Sequence, residues 1–437
     1  MKHGFFGAIG CLLLSASSVL AQDYNSYSPY DFSSRARLAE GFSPNGGRGE
    51  MPAATVSDVP AGSEHAFDMD AALAGGNLGP CWWFTSEFLL WRQKSSPAPV
   101  PLITTNDNPA TIAALNQPGT RILFGEGSGE STSLNWFAGM RFTAGGWIDC
   151  EHNFGAEGSG FLMERRNLIF ARSTAGGANP VLAIPFNSVV PFLRNPAGET
   201  ALSNRGFPST ISAHLNSRLW GAELNGLVNI WRCESVQVTG IVGGRYLDLL
   251  EHLSLTDTIQ DTQRNGLAFV SDDFGTRNQF YGAQIGGRVN WNYCRFQIDA
   301  TAKVAFGTVH QTMNLTGETT ITNGAFGLPT GTTAQGLFVE STNRGRYNRN
   351  VFAVVPEASI NFGYQLTSCI RPFIGYNWIY LGNAVRPGNQ IDRNINPTQQ
   401  PLIVPPGTLA GQAAPLANFR TGDFWAQGFN LGVEIRY

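Results

Sequence analysis

The stretch Tyr281-Gly282-Ala283-Gln284-Ile285-Gly286-Gly287-Arg288-Val289-Asn290-Trp291-Asn292-Tyr293-Cys294-Arg295-Phe296-Gln297-Ile298-Asp299-Ala300-Thr301-Ala302-Lys303-Val304-Ala305-Phe306 carries a period of two across its whole length. Up to Tyr293 the apolar residues occupy the odd positions, opposed by Gln284, Arg288, Asn290 and Asn292. From Phe296 they occupy the even positions, opposed by Gln297, Asp299, Thr301 and Lys303. A strand sends successive side chains to opposite faces. The change of parity at Tyr293-Cys294 is therefore what a tight hairpin between two strands sharing one greasy face would produce. Strands of soluble proteins usually run five or six residues, and strands twice as long with one unbroken apolar face fit a soluble β-sandwich poorly.

The arrangement recurs. Trp220 to Ile230 alternates, turns near Cys233, and returns as Val236 to Tyr246; Phe352 to Tyr364 turns near Cys369 and returns as Ile370 to Tyr380. The earliest copy, Trp136 to Ile148, turns near Cys150 and has a blurred, glycine-rich return through Phe161. Four cysteines thus mark four short turns, 83, 61 and 75 residues apart, a coarse internal repeat. Between the units lie longer polar or Gly/Pro segments at 166–210, 254–277, 309–349 and 383–422, read as loops. Alternating short and long connections are the signature of outer-membrane barrels. One strand at 82–92, two per unit and a last one at 423–437 give ten. The prolines of 100–125 place that segment as an extracellular insertion, although as a further hairpin it would raise the count to twelve. The expected fold is all-β: an antiparallel closed transmembrane β-barrel.

The chain's last residues keep the period. Trp425, Phe429, Leu431, Val433, Ile435 and Tyr437 share one face, and Glu434 and Arg436 lie on the other. A terminal aromatic on a lipid-facing strand resembles an outer-membrane assembly signal, which implies barrel-assembly machinery and outer-membrane lipid as partners.

Composition narrows the alternatives. Acidic and basic residues number 32 and 29 and are interspersed, so the basic face that nucleic acid needs is missing. Positive charge is almost all arginine, the only lysines being Lys2, Lys94 and Lys303. Residues 1–21 read as a cleavable signal peptide, with Lys2 before the apolar core Phe5–Leu14 and small residues around Ala21. Residues 22–79, rich in Ser, Gly, Pro and Ala, read as a disordered periplasmic extension, and 80–437 as the barrel. Five cysteines then remain: Cys81, Cys150, Cys233, Cys294 and Cys369. Their wide spacing gives neither a CxxC site nor a zinc site, and no cofactor or metal is expected. In an oxidising compartment neighbouring turn cysteines could pair, but an odd number leaves at least one unpaired or intermolecular.

Several blocks resemble the putative beta-barrel porin-7 family of planctomycete-type bacteria, over roughly 82–437. They are Glu87-Phe88-Leu89-Leu90-Trp91, Pro118 to Gly125, and Arg371-Pro372-Phe373-Ile374-Gly375-Tyr376 running on into Val385-Arg386-Pro387-Gly388-Asn389-Gln390-Ile391-Asp392. The resemblance implies an outer-membrane barrel and brings no catalytic residues.

Parity makes Arg141, Glu223, Arg245, Arg288, Arg295, Asp299, Lys303, Glu357, Arg371, Glu434 and Arg436 the expected lumen lining. Arg386, Pro387, Gly388, Gln390 and Asp392 form an outer-loop turn in which Arg386 and Asp392 would pair. An enzyme is not expected: Glu251, His252 and Asp257 bring together no second catalytic element. Barrels of about eight strands are filled by side chains, and clear aqueous channels need 16 to 18. Ten strands permit at most a narrow path. Three functions follow: a narrow passive diffusion channel for small solutes or ions, a non-conducting structural or adhesive surface protein anchored by its barrel, or a soluble secreted β-protein that binds carbohydrate.

Overall fold

The computed structural model describes residues 82–149, 151–191, 196–400 and 410–437. The expected signal peptide and extension, Cys81 and Cys150 lie outside them. In chain order the strands are β1 (Trp82–Gln93), β2 (Pro101–Asn106), β3 (Arg121–Gly125), β4 (Trp136–Trp147), β5 (Phe154–Met163), β6 (Arg166–Thr174), β7 (Val181–Ser188), β8 (Gly198–Ser203), β9 (Ser209–Arg232), β10 (Val236–Asp261), β11 (Gly266–Tyr293), β12 (Phe296–Ile321), β13 (Gly331–Thr333), β14 (Gly345–Tyr364), β15 (Ile370–Val385), β16 (Asn394–Ile395) and β17 (Thr421–Arg436).

Ten of them close an antiparallel ring in the order β10-β11-β12-β14-β15-β17-β1-β4-β5-β9, with β9 pairing back onto β10. The count is ten and not twelve: β2 and β3 lie in a separate sheet. The C-terminal strand closes the ring, with Phe84 opposite Ile435 and backbone hydrogen bonds between Trp82 and Tyr437 in both directions. Two prolines that look misplaced in a barrel bracket one ladder. β14 and β15 pair only from Glu357↔Ile379 to Gly363↔Phe373, between Pro356 and Pro372, where the missing N–H groups end the pairing.

Side chains pointing outward from the lower part of the ring are apolar. Leu224, Ile285 and Phe352 are 69%, 60% and 64% exposed. On β10 this band runs from Val236 to Tyr246, about 25 Å at the rise and tilt of barrel strands, the height of an outer-membrane apolar belt. Trp136, Tyr281, Trp291, Tyr293 and Phe296 stand exposed towards its two ends. Glycines admit the rings there: a Cβ at Gly146 would fall 2.3 Å from the Trp82 ring.

The strands do not stop where the belt stops, which corrects two of the expected loops, and a third, 166–210, carries β6, β7, β8 and the start of β9. β10 continues to Asp261, β11 starts at Gly266, β12 runs to Ile321 and β14 starts at Gly345, so most of 254–277 and much of 309–349 is strand. The reason is a second change of parity, this time without a turn. Above the belt the outward face of β10 becomes Asp248, His252, Ser254, Thr256 and Thr258, with Leu250 among them, while Leu247, Leu249, Leu253, Leu255 and Ile259 turn inward and are buried together with Glu251 and Asp257. Polar groups on that outer face suit contact with water. The inside is dry instead.

That dry interior holds a second sheet, β16-β7-β2-β3 with β8 beside β7. Its Leu102, Ile103, Phe124, Leu182 and Ile184 pack with Ile211, Leu215, Leu253, Phe274, Met313 and Leu315 from the extended ring strands. The molecule is therefore a barrel continued above the belt by a β-structure with its own apolar core.

Candidate functional site: an ion-paired lumen under an apolar seal

Within the belt the inward residues are polar and surround a cavity of about 610 Å³. Arg141, Glu223, Arg288, Asp299, Lys303, Glu357, Arg371, Glu434 and Arg436 line it, as do Cys233 and Glu234 of one short turn. Arg245 lies just behind, against Glu223 and Glu357. Arg295 does not line the cavity. It sits exposed in the turn between β11 and β12, because its parity was counted through residues that belong to the hairpin.

The charges neutralise one another in tiers. Nearest the turns, Arg371 reaches Asp299 at 2.5 Å and Glu434 at 2.8 Å, and Arg436 pairs with Glu434. Next, Arg288 donates from both terminal nitrogens to Glu157, at 3.0 and 2.8 Å. The highest tier joins Lys303 and Arg245 to Glu223 at 2.6 and 2.5 Å, and Arg141 and Arg245 to Glu357. Buried ion pairs of this kind set geometry more than they stabilise, since desolvation cancels most of the attraction. They leave little of the fixed field by which an open pore selects ions.

Sequence reasoning missed Glu157 and Glu87. Glu157 lies on β5, whose Gly155-Ala156-Glu157-Gly158-Ser159-Gly160 carries too few apolar residues to display its period. The alternation of Glu157 with Ser159 was the available signal. Glu87 accepts a hydrogen bond from Asn430 at 2.8 Å and closes the uppermost tier beside the C-terminal strand.

Directly above, Leu89, Leu247, Phe280, Val309, Val355 and Ile379, all 2% exposed or less, form an apolar layer. They come from β1, β10, β11, β12, β14 and β15, so the wall itself supplies this layer. Arg141 marks the boundary, its guanidinium 5.4 Å from the Trp91 ring and 5.7 Å from that of Phe161.

The 386–392 turn lies higher still and is buried. Arg386 does not pair with Asp392. It donates to Glu251 of β10 at 2.8 and 2.6 Å and to the carbonyl oxygens of Ser95 and Lys94, while Asp392 accepts from the backbone N–H groups of Asn394 and Leu416. Gln390 donates to the Arg386 and Arg420 carbonyls, and Pro387 opens a short 3₁₀ turn. Gly388 is required by contact: a Cβ there would lie 1.7 Å from the Pro97 carbonyl oxygen. The turn is a latch inside the upper barrel. On β10, alternation sends Glu251 inward to Arg386 and His252 outward to Asp273, 3.3 Å away, so these neighbours in sequence stand on opposite sides of the wall.

On the terminal strand Phe429, Leu431, Val433 and Tyr437 are exposed on the belt side, with Ile435 on the same face. Cys233, Cys294 and Cys369 occupy three short turns as free, exposed thiols, so neighbouring turns are not joined by disulfides among them.

This architecture defines an antiparallel ten-stranded barrel of the outer-membrane type. The chain belongs to the family described as Putative beta barrel porin-7 (BBP7), whose model matches residues 83–437. No curated protein matches the sequence. Among solved structures it is similar to the outer membrane protease OmpT of Escherichia coli (8% identity, 82% of this chain and 97% of that one, TM-score 0.39). It is also similar to an anion-selective porin of Comamonas acidovorans (8% identity, 80% and 100%, TM-score 0.09). At these identities and TM-scores neither likeness transfers an activity.

Proposed function

We propose that this protein is a non-conducting outer-membrane anchor that displays a folded β-structure above the outer leaflet, with no catalytic role. One observation carries the reading: both faces of the wall change polarity at the same level. The rung that ends the outer apolar belt at Tyr246 also ends the inner polar tiers at Arg245 and begins the apolar layer at Leu247. A narrow diffusion channel would need a polar path past that layer. Opening one would require the ring itself to widen, because the blocking side chains sit on its strands. Outer-membrane lipid meets the belt, and the exposed apolar face of the last strand is the surface that assembly machinery would read.

The test is topology. Glu318 lies exposed near the top of β12, and Glu318→Cys should react with a membrane-impermeant maleimide on intact cells. The parent chain, with Cys233, Cys294 and Cys369 at the opposite end, should not. Labelling of the parent, or a variant that gains no label over the parent, would overturn the reading.

A further inference from the structure

We propose that Cys233, Cys294 and Cys369 form intermolecular disulfides that link neighbouring copies of this chain at the turn end of the barrel; the proposal rests on the outer-membrane reading above. All three are free and exposed, and each stands in a different short hairpin: β9 to β10, β11 to β12, and β14 to β15. Packing does not explain them, since an unpaired cysteine otherwise behaves as a buried small apolar residue. Turn geometry does not either. Cys294 has φ 53°, the left-handed region that Gly, Asn and Asp occupy at least cost.

Metal binding fails as well: among the described residues no three His, Cys, Asp or Glu side chains could hold an ion. Hairpins of one ring that neighbour each other are two strands apart, about 10 Å at the spacing of paired strands. A disulfide spans Cα atoms no more than about 7 Å apart. Among the three described thiols, what remains is reaction with another molecule; Cys81 and Cys150 lie outside the described residues.

The geometry points to a second copy as that molecule. Barrels inserted in one membrane share an orientation, so every copy holds its thiols at one depth. Trp231, Tyr293 and Phe296, exposed beside Cys233 and Cys294, fix that depth at the edge of the belt. The three hairpins occupy successive sectors of the rim, so one copy can link in more than one direction. The chemistry balances through thiol–disulfide exchange. A disulfide-carrying oxidase of the periplasm takes up two electrons and two protons and becomes a dithiol, while two cysteines give them up and form one S–S bond.

The experiment is non-reducing electrophoresis of envelopes from cells quenched with maleimide before lysis. The parent should run as a ladder of dimers and larger species that collapses to monomer on reduction. A chain keeping one of the three cysteines, the other two and Cys81 and Cys150 being Ser, should stop at the dimer. The triple variant, Cys233→Ser with Cys294→Ser and Cys369→Ser, should be monomeric. Parent monomer whose three thiols are all alkylated in the cells would overturn the proposal, and so would a ladder that persists in the triple variant or a cross-link to a chain of different mass. Heat-modifiable migration and sedimentation with membranes are scored on the same samples, so that failure of the barrel reading is seen separately from failure of the cross-link.

Discussion

Arg386→Met isolates the latch. Arg386 and Glu251 are 2% and 1% exposed in their side chains, and the guanidinium also donates to two backbone carbonyls. Methionine keeps much of the stem that packs near Phe424 but leaves Glu251 buried without its cation. Breaking a buried pair from one side costs about 3–5 kcal/mol. At tenfold per 1.4 kcal/mol, local opening of the 386–400 segment should rise by roughly a hundred- to a few-thousand-fold. Amide hydrogen exchange of the folded, detergent-solubilised barrel reads this directly, and the belt strands should keep their protection. The double variant Arg386→Met with Glu251→Gln removes both charges and should recover most of the loss. Exchange within about tenfold of the parent in the single variant would refute the claim that this pair holds the latch.

Three further outcomes follow from the same geometry. In the extension above the belt, burial pushes Asp257 and Asp272 up to about 7 and Glu340 up to about 9, the charge of Asp272 adding to the effect on Glu340. The folded state thus holds protons that the unfolded chain releases near pH 4. The stabilisation is full below that pH and is lost as pH rises through 7 and then 9, so protease cleavage of the extension should accelerate from pH 6 to 9, and Glu340→Gln should remove the upper part of that rise. Arg288→Glu would set two carboxylates against each other where a bidentate pair stands, and should cost at least about 3 kcal/mol, seen as loss of the heat-modifiable folded band instead of a change in ion selectivity. Gly388→Ala should displace the latch from Pro97 and destabilise it by at least about 2 kcal/mol, measured by the same exchange experiment.

The ring of ten and its short turns could be read from the sequence because every belt strand follows one rule: apolar side chains face out and polar ones face in. The extension was not read because water reverses the rule without interrupting the strand. Leu247, Leu249, Leu253 and Leu255 keep the period of Val236 to Tyr246 with the opposite phase, and the Ser, Thr and Asn residues now facing out resemble a loop. Most of the charged lumen was legible by parity. Arg295 was not, because its hairpin residues break the count, and Glu157 was hidden among glycines. The partnership of Arg386 with Glu251, 135 residues apart, depends on the upper strands continuing and had no local signal.

The central claim is that the wall seals its own lumen at the level of Leu247 and Phe280. Single-channel recording of the refolded chain in planar bilayers tests it, with heat-modifiable migration confirming that the inserted protein is a folded barrel. The account predicts folded, inserted protein and no conductance steps above the bare bilayer; stable, reproducible steps from the parent chain would contradict it.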